Sequence, residues 1–288
     1  MAMQTKTDGL GIDVGKDWLD IFNGDTVERV ENTQKAIRAY LKLLPTPVPI
    51  AIEATNVYHE LFIQLALAAD TDGVDARLLY RYLNAERTHL RPYEPPSKAV
   101  KRLMRLLKAR AKLAHSKASL KLSLAGIGEL VQTKKALMAR FDKAIAVIDK
   151  KLIDCINESG YTADYKRCQT IKGVGPINAA ALVAFYHRGD FRKADSFVSF
   201  MGLDVRVRES GRYRGQRKLT KKGNPEIRRL LFNAARAGAK TTQWKPYYES
   251  LRERGLTTTA AAVAISRKIA KLAFALMRDQ TEYQVKVA

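Results

Sequence analysis

The amino-acid sequence predicts an α/β N-terminal domain, a helical coiled-coil connector and a mainly α C-terminal domain. Short strand-like apolar runs alternate with helical patterns up to residue 93, and an almost unbroken helical pattern follows to residue 160. The remaining residues combine helical patterns with a glycine-containing turn and a polar, basic loop. We therefore expect domains at residues 1–93, 94–160 and 161–288.

Two apolar runs near the N-terminus, residues 9–15 and 18–22, are joined by a tight polar turn and predict a β-hairpin. Residues 32–44 place apolar side chains on one helix face, and a proline-rich segment ends this helix. Residues 50–53 are typical of a buried strand, and residues 54–69 of the helix after it. The order strand, strand, helix, strand, helix indicates an α/β domain.

The connector has a seam of apolar residues at coiled-coil spacing. Alternate steps of four and three from Leu113 to Cys155 meet thirteen positions, of which eleven are apolar, and the helical pattern breaks only near Gly126 and Gly128. This spacing predicts a coiled coil or a long helical hairpin. Since extended helical connectors commonly mediate self-association, we expect a homo-oligomer, from dimer to tetramer.

The charge is large and unevenly distributed. The 288 residues carry 51 Lys and Arg against 29 Asp and Glu, for a net charge of +22. Residues 1–93 hold ten basic and thirteen acidic side chains, so a net charge of −3 there leaves +25 on the remaining 195 residues. Such an asymmetry favours a nucleic-acid partner for the C-terminal part, with an anionic membrane surface as the main alternative.

The chain offers little for a zinc site, because its two cysteines, Cys155 and Cys168, form no CxxC pair and its four histidines are scattered. No apolar run typical of a signal peptide or a membrane-spanning helix occurs. These features favour a cytoplasmic protein, associated with the nucleoid if it binds DNA.

Four acidic residues are candidates for a metal site: Asp13, Glu53, Asp72 and Asp75. Asp13 and Glu53 sit on apolar strands, where a carboxylate needs a compensating positive charge, and the other two share one helix face. Oxygen ligands of this kind suit Mg²⁺, which supports phosphoryl transfer. The alternative is that Asp13 starts a turn and Asp72 caps a helix. We expect the nearby Asp17 and Glu60 to be solvated.

Residues 171–185 resemble a helix-hairpin-helix, in which Lys172, Gly173 and Gly175 would present backbone N–H groups to a phosphate. A plain packing corner between two helices is equally compatible with this segment.

A basic loop follows, with ten basic residues against Glu209 and Glu226 between positions 206 and 229. This density predicts contacts to a phosphate backbone rather than an ordinary solvated face. Ser210, flanked by arginines, could be a phosphate-directed nucleophile, although Ser-Gly is common in loops. The basic residues are Arg206, Arg208, Arg212, Arg214, Arg217, Lys218, Lys221, Lys222, Arg228 and Arg229.

Together these motifs resemble the DEDD-type transposases of the insertion-sequence one-hundred-and-ten family, known as bridge-RNA-guided serine recombinases. The matching motifs are GIDVGK around Asp13, IEATxxY at Glu53, TDxxDAR at Asp72 and Asp75, IxGVGP, FxxFMGL, and ESG at Ser210 with its downstream KxGNPxxRRLL. The resemblance runs over nearly the whole chain.

The resemblance implies a RuvC-like (ribonuclease-H-like) N-terminal domain whose four acids bind Mg²⁺, and a C-terminal transposase domain whose Ser210 links covalently to DNA. It also implies a tetramer and a structured noncoding guide RNA that pairs with donor and target DNA. One departure is the interval of only 19 positions between Glu53 and Asp72, where relatives have a further strand and helix. Two alternatives remain open. One is a metal-dependent RuvC-like nuclease in which Ser210 is only a loop residue, and the other is an inactive nucleic-acid-binding scaffold, which the short interval favours.

Overall fold

The computed structural model describes residues 9–44, 48–52, 59–67, 95–206, 209–210, 213–214 and 218–284. The chain divides into two compact units, Met1–Pro95 and Pro96–Ala288. In these described ranges, no helix is both long and apolar enough to cross a membrane.

The first unit contains a mixed four-stranded sheet in the order β3-β2-β1-β4. Strand β1 pairs antiparallel with β2 and parallel with β4, and β2 pairs antiparallel with β3. One face of the sheet is apolar and packs against two helices, with Ile12, Leu19, Ile37 and Phe62 fully buried. The elements are β1 (Leu10–Val14), β2 (Trp18–Phe22), β3 (Val27–Glu31), α1 (Gln34–Leu41), β4 (Ile50–Ile52) and α2 (His59–Leu67).

The predicted hairpin, the two helices and the strand after the prolines are confirmed within the described residues, but strand β3 was not expected from the sequence. Three of its five residues are charged, and of its two valines only Val30 packs partly against the core. An edge strand buries little apolar surface, so its pattern resembles that of a polar loop. The first unit is thus a small α/β domain, and its RuvC-like identity stays a prediction.

The second unit begins with a helical hairpin. Helix α3 (Lys98–Ser123) and helix α4 (Val131–Glu158) are joined by a short 3-10 turn at Gly128–Leu130, at the break that the sequence predicted. Ion pairs cross between them from Arg102 to Glu158 and from Arg110 to Asp149, so the two helices run antiparallel. Of the two predicted forms, the structure has the helical hairpin.

The base of this hairpin lies in the same core as the C-terminal helices. Leu103 of α3 and Leu152 of α4 are fully buried in one cluster with Ala180, Phe197 and Phe274. The boundary predicted near residue 160 therefore lies within a continuous core. The other helices are α5 (Thr162–Thr170), α6 (Pro176–Tyr186), α7 (Ala194–Phe200), α8 (Pro225–Gly238), α9 (Lys245–Glu253) and α10 (Thr258–Asp279).

The segment predicted as a polar loop between α7 and α8 contains four two-residue strands. These are β5 (Val205–Arg206), β6 (Glu209–Ser210), β7 (Tyr213–Arg214) and β8 (Lys218–Leu219). Strand β5 pairs with β8, and β6 pairs with β7 inside that interval. We call residues 205–219 the β arm.

Candidate nucleic-acid interface

Asp13 lies on the face of the N-terminal sheet that is turned away from the apolar core. Along β1, Ile12 and Val14 are buried whereas Asp13 is exposed. The register pairs Asp13 directly with Asp20 of β2, and opposed like charges destabilise an antiparallel pair. A cation at this face would relieve that repulsion.

The guanidinium of Arg29 provides a positive charge at this face, but among the described residues it pairs only with Asp20. Its guanidinium donates two hydrogen bonds to the Asp20 carboxylate, at 2.7 and 2.9 Å. These hydrogen bonds hold the pKa of Asp20 below its usual value, against the opposing effect of burial. Asp13 makes no ion pair with any residue that the structure describes. Its carboxylate oxygens therefore suit a bound cation.

The other three predicted metal ligands, Glu53, Asp72 and Asp75, lie outside the described residues. Strand β4 runs parallel to β1 and pairs Ile52 with Ile12. The strand that precedes Glu53 is therefore the neighbour of the strand that carries Asp13. In the described part of the chain, no group of three or more His, Cys, Asp or Glu residues could hold a metal ion. The four-acid site stays a prediction that only Asp13 can support.

The predicted helix-hairpin-helix turn connects α5 to α6, and Gly173 serves its packing against α8. Gly173 has φ +94°, and a Cβ added there would lie 2.5 Å from the carbonyl oxygen of Ala234. The indole N–H of Trp244 donates to the carbonyl of Lys172 at 2.9 Å and fixes the turn from the same side. The packing corner that the sequence left open is thus present at Gly173.

Gly175 is placed differently. It precedes α6 with an ordinary φ of −85°, no side chain caps the helix, and a Cβ added at this position would point into open space. The Lys172 side chain is exposed. A helix N-terminus that is open and near a lysine is compatible with a phosphate, so the predicted phosphate contact rests on Lys172 and Gly175.

The β arm places Ser210 toward its tip. The register pairs Ser210 with Tyr213 and Glu209 with Arg214, while Arg206 is opposite Lys218 nearer the base. Opposed like charges on neighbouring strands are unfavourable unless an anion compensates them. This register therefore favours an anionic partner at the base of the arm that carries Ser210.

The base of the arm is fixed to the helical core. Thr220 donates to Asp204 through its backbone N–H at 3.0 Å and through its hydroxyl at 2.5 Å. Gly202 and Gly223 let the two ends of the segment approach closely, since a Cβ on Gly202 would lie 2.7 Å from the carbonyl oxygen of Lys222. The arm thus extends from a tightly packed root.

The predicted basic contacts separate into two groups. Arg228 donates to the carbonyl of Gly223 at 2.7 Å, and Arg229 forms two hydrogen bonds with Glu226, so both have internal roles. Lys221 and Lys222 are exposed and make no ion pair within the described ranges. Arg208, Arg212 and Arg217 lie outside those ranges, and only the backbone is described for Arg206, Arg214 and Lys218. The lysines are therefore the better supported phosphate contacts.

One group of basic residues was not among the nucleic-acid contacts predicted from the sequence. Helix α3 carries exposed or half-exposed lysines at positions 98, 101, 108 and 112, one edge of the helix. The apolar seam of this segment indicates helix packing. The spacing of the lysines, which is also visible in the sequence, indicates a basic edge on the same helix.

Comparison with known proteins matches one segment of the chain to a family model. Residues 165–249 match the family model described as "Transposase IS116/IS110/IS902 family". The match begins in α5, includes the hairpin turn and the β arm with Ser210, and ends in α9. The resemblance identified from the sequence is thereby confirmed for this segment.

Two relatives with transposase names are similar to parts of this chain. The chain is 28% identical over 167 residues to a "Probable family 20 transposase" of Pseudomonas aeruginosa, covering 56% of this chain and 48% of the relative. It is 32% identical over 130 residues to the "Transposase for insertion sequence element IS1111A" of Coxiella burnetii, covering 42% of this chain and 35% of that protein.

A third relative matches over a longer segment. The chain is 25% identical over 239 residues to the "Pilin gene-inverting protein" of Moraxella lacunata, covering 80% of this chain and 72% of the relative. The matches to the two transposases above span less than half of those proteins.

Proposed function

We propose that this chain, which carries an IS110-family transposase domain at residues 165–249, is a DNA recombinase of a mobile element. The observation that carries the proposal is the position of Ser210 within the matched segment, on a β arm whose register sets Arg206 opposite Lys218. A phosphodiester there would meet a hydroxyl and several basic residues together.

The proposed reaction is a phosphoryl exchange. The hydroxyl oxygen of Ser210 forms a bond to phosphorus and loses its proton to a general base, while the bond from phosphorus to the leaving DNA oxygen breaks and that oxygen takes up a proton. The result is a DNA phosphodiester with Ser210 and a free DNA hydroxyl. Attack by the hydroxyl of a second strand reverses these steps, which joins the new strands and releases the serine. No net hydrolysis occurs.

We also propose that Asp13 belongs to a Mg²⁺ site that Glu53, Asp72 and Asp75 complete. Its exposed carboxylate, opposite an Asp20 already paired with Arg29, fits a divalent cation. When bound, the ion supplies positive charge that stabilises the oxygens of the reacting phosphate. The role of Asp13 is to hold that charge at the polar face of the sheet.

Sequence choice and assembly complete the proposal. A structured noncoding guide RNA selects donor and target DNA, which agrees with the net charge of +25 on residues 94–288. Assembly into a homo-oligomer up to a tetramer is supported by the helical hairpin, where Leu122 is 76% and Val131 57% exposed. The net charge supports the RNA partner, and the exposed apolar side chains support self-association.

The test is to trap the covalent intermediate. Purified protein is incubated with its guide RNA, Mg²⁺ and a nicked donor duplex, and the adduct is detected after denaturation. We expect an adduct with the unmodified protein and none with Ser210→Ala. Ser196→Ala, which changes an exposed serine in the same domain, serves as the control and should leave the adduct intact. Strand joining by Ser210→Ala at the normal rate would contradict the proposal.

A metal-dependent nuclease is the second candidate, because the exposed Asp13 and the neighbouring strand β4 are compatible with hydrolysis by the N-terminal domain alone. In that case cleavage leaves no adduct, survives Ser210→Ala and is abolished by Asp13→Asn. Asp17→Asn, at an exposed acid nearby, is the matched control. A chain with neither cleavage nor adduct would instead be a nucleic-acid-binding scaffold.

A further inference from the structure

Helix α3 has a charge composition that its own packing does not explain. Its 26 residues include nine lysines and arginines and no aspartate or glutamate. Helices on a protein surface usually carry both signs, because opposite charges three or four residues apart stabilise the helix. Compensation for α3 must come from other elements or from a partner.

One edge of α3 is compensated by α4. The guanidinium of Arg102 lies 2.5 Å from Glu158, that of Arg110 lies 2.5 Å from Asp149, and the ammonium of Lys117 contacts Asp142. These ion pairs follow one line along the antiparallel hairpin. Between this line and the opposite edge, Leu103 and Leu107 face the core.

Four lysines at the opposite edge have no ion-pair partner within the described residues. Lys98, Lys101, Lys108 and Lys112 lie on one line along the helix, because their spacing of three, seven and four residues keeps them on one side. Three of them are exposed and Lys101 is half-exposed, and none forms an ion pair with a residue that the structure describes. At 1.5 Å per residue, this lysine row is about 21 Å long.

The lysine row borders the proposed DNA-binding elements. Lys108 and Met104 line a cavity whose far wall is the first turn of α8, with Asn224 and Pro225. The carboxylate of Glu226, also on that wall, is already paired with Arg229. The residues just before this turn are the exposed Lys221 and Lys222 at the base of the β arm. Lys108 thus lies across this cavity from the turn that follows the β arm.

We propose that the lysine row of α3 binds the phosphate backbone of double-stranded DNA and directs the duplex toward the β arm. A straight, rigid row of charges matches a duplex, which presents about one negative charge per 1.7 Å of its axis. Helix α3 contains no Phe, Tyr or Trp, so it lacks the stacking surfaces that single-stranded nucleic acid requires. Lysine side chains contact the backbone without reading the sequence.

The choice of DNA as the partner rests on the proposed recombinase function, whereas the phosphate contact rests on α3 itself. The experiment therefore compares two variants of the full chain that remove the same charge. In the first, Lys98, Lys101, Lys108 and Lys112 are all changed to Gln. In the second, four exposed lysines of α4 are changed to Gln: Lys135, Lys143, Lys150 and Lys151.

Binding to a 30-base-pair DNA duplex of arbitrary sequence is measured over a range of salt concentrations. We expect the α3 variant to bind at least tenfold more weakly, with a slope of log K against log salt that is reduced by about 3 to 4, since each lost phosphate contact removes nearly one unit. The α4 variant should change the affinity less than threefold. Both variants should keep the thermal unfolding midpoint of the unmodified chain.

Equal losses in the two variants would overturn the proposal, since they would show an effect of total charge only. An unchanged affinity in the α3 variant would overturn it too. So would a loss confined to an RNA duplex of the same length or to anionic lipid vesicles. When the α3 and α4 substitutions are made in the Ser210→Ala protein, the same difference in DNA affinity should appear. If it does while no adduct forms in any variant, the recombination mechanism fails and the DNA-binding surface stands.

Discussion

The carboxylate of Asp164 in α5 lies 2.9 Å from Nε2 of His187, which directly follows α6. The same carboxylate accepts hydrogen bonds from Arg167 at 3.0 Å and from the side chain of Gln280, the residue that ends α10, at 3.4 Å. The ring of His187 also stacks on Tyr161 with centroids 4.0 Å apart. One nearly buried acid therefore connects three helices of the second unit.

We expect Asp164→Asn to destabilise the protein by about 1–3 kcal/mol at pH 7, the usual cost of leaving buried partners unsatisfied. Burial raises the pKa of Asp164, but His187, Gln280 and Arg167 together lower it below its usual value. A carboxylate with a lowered pKa stabilises the folded state above its unfolded pKa of about 3.9, and this stability is lost as the pH falls through the folded pKa.

Urea unfolding at pH 7 and at several pH values below 4 checks this prediction. The Asn variant should lose less stability on acidification than the unmodified chain, because it has no carboxylate to protonate at position 164. Asp190→Asn, at an exposed acid, is the control and should retain the full acid sensitivity. If the Asp164 variant and the unmodified chain lost the same stability on acidification, the stabilising role of the Asp164 carboxylate would be refuted.

We expect Gly173→Ala to destabilise the protein by more than about 2 kcal/mol, because it combines a left-handed φ with overpacking against α8. Gly175→Ala should cost less than about 1 kcal/mol, since its surroundings are open. Thermal unfolding measures both. If Gly175 approaches a phosphate, its alanine variant should lower DNA affinity at unchanged stability, and the opposite order of stabilities would contradict the packing role of Gly173.

Arg228 and Lys222 should separate stability from binding. Arg228→Gln removes the hydrogen bond to Gly223 at the root of the β arm and should cost about 1–3 kcal/mol of unfolding free energy. Lys222→Gln should leave stability within about 0.5 kcal/mol and weaken DNA binding with a reduced salt dependence. Filter binding and denaturant unfolding on the same preparations test the pair. A stable Arg228→Gln protein would show that the arm does not depend on this contact.

Leu103 and Leu122 test whether the helical hairpin shares the C-terminal core. Leu103→Ala should lose about 2–5 kcal/mol in a single unfolding transition, because its side chain is fully buried among C-terminal residues. Leu122→Ala, at a position that is 76% exposed, should change little in the monomer. Two separate transitions in calorimetry, with only one shifted by Leu103→Ala, would show instead that the hairpin folds independently.

The parts of the fold with strong apolar periodicity were predictable. The sequence pattern predicts helices near residues 225–239 and 258–277, and α8 and α10 agree with these ranges to within two residues. Each buries a full face against the core and begins at a side-chain cap, Asn224 and Thr257. Helix α9 was missed, since its nine residues bury only Leu251 completely and its apolar pattern is too short to recognise.

The candidate site was predictable in its residue types and less so in the roles of individual residues. The density of arginine and lysine indicated a phosphate partner, but the sequence does not show which guanidinium groups have internal partners. Arg228 and Arg229 differ from Lys222 only through contacts to Gly223 and Glu226 that the fold creates. Gly173 likewise required the position of α8, which is distant in sequence.

The pairing of Arg206 with Lys218 at the base of the β arm also has a practical consequence for handling the protein. The register places two basic residues opposite each other, so we expect multivalent anions such as sulfate and phosphate in a buffer to compete with nucleic acid for this place. We expect the same salts to raise the thermal stability of the free protein, because an anion that binds the folded state stabilises it. Chloride or acetate buffers of low ionic strength are accordingly the conditions in which its affinity for DNA is measured at full strength.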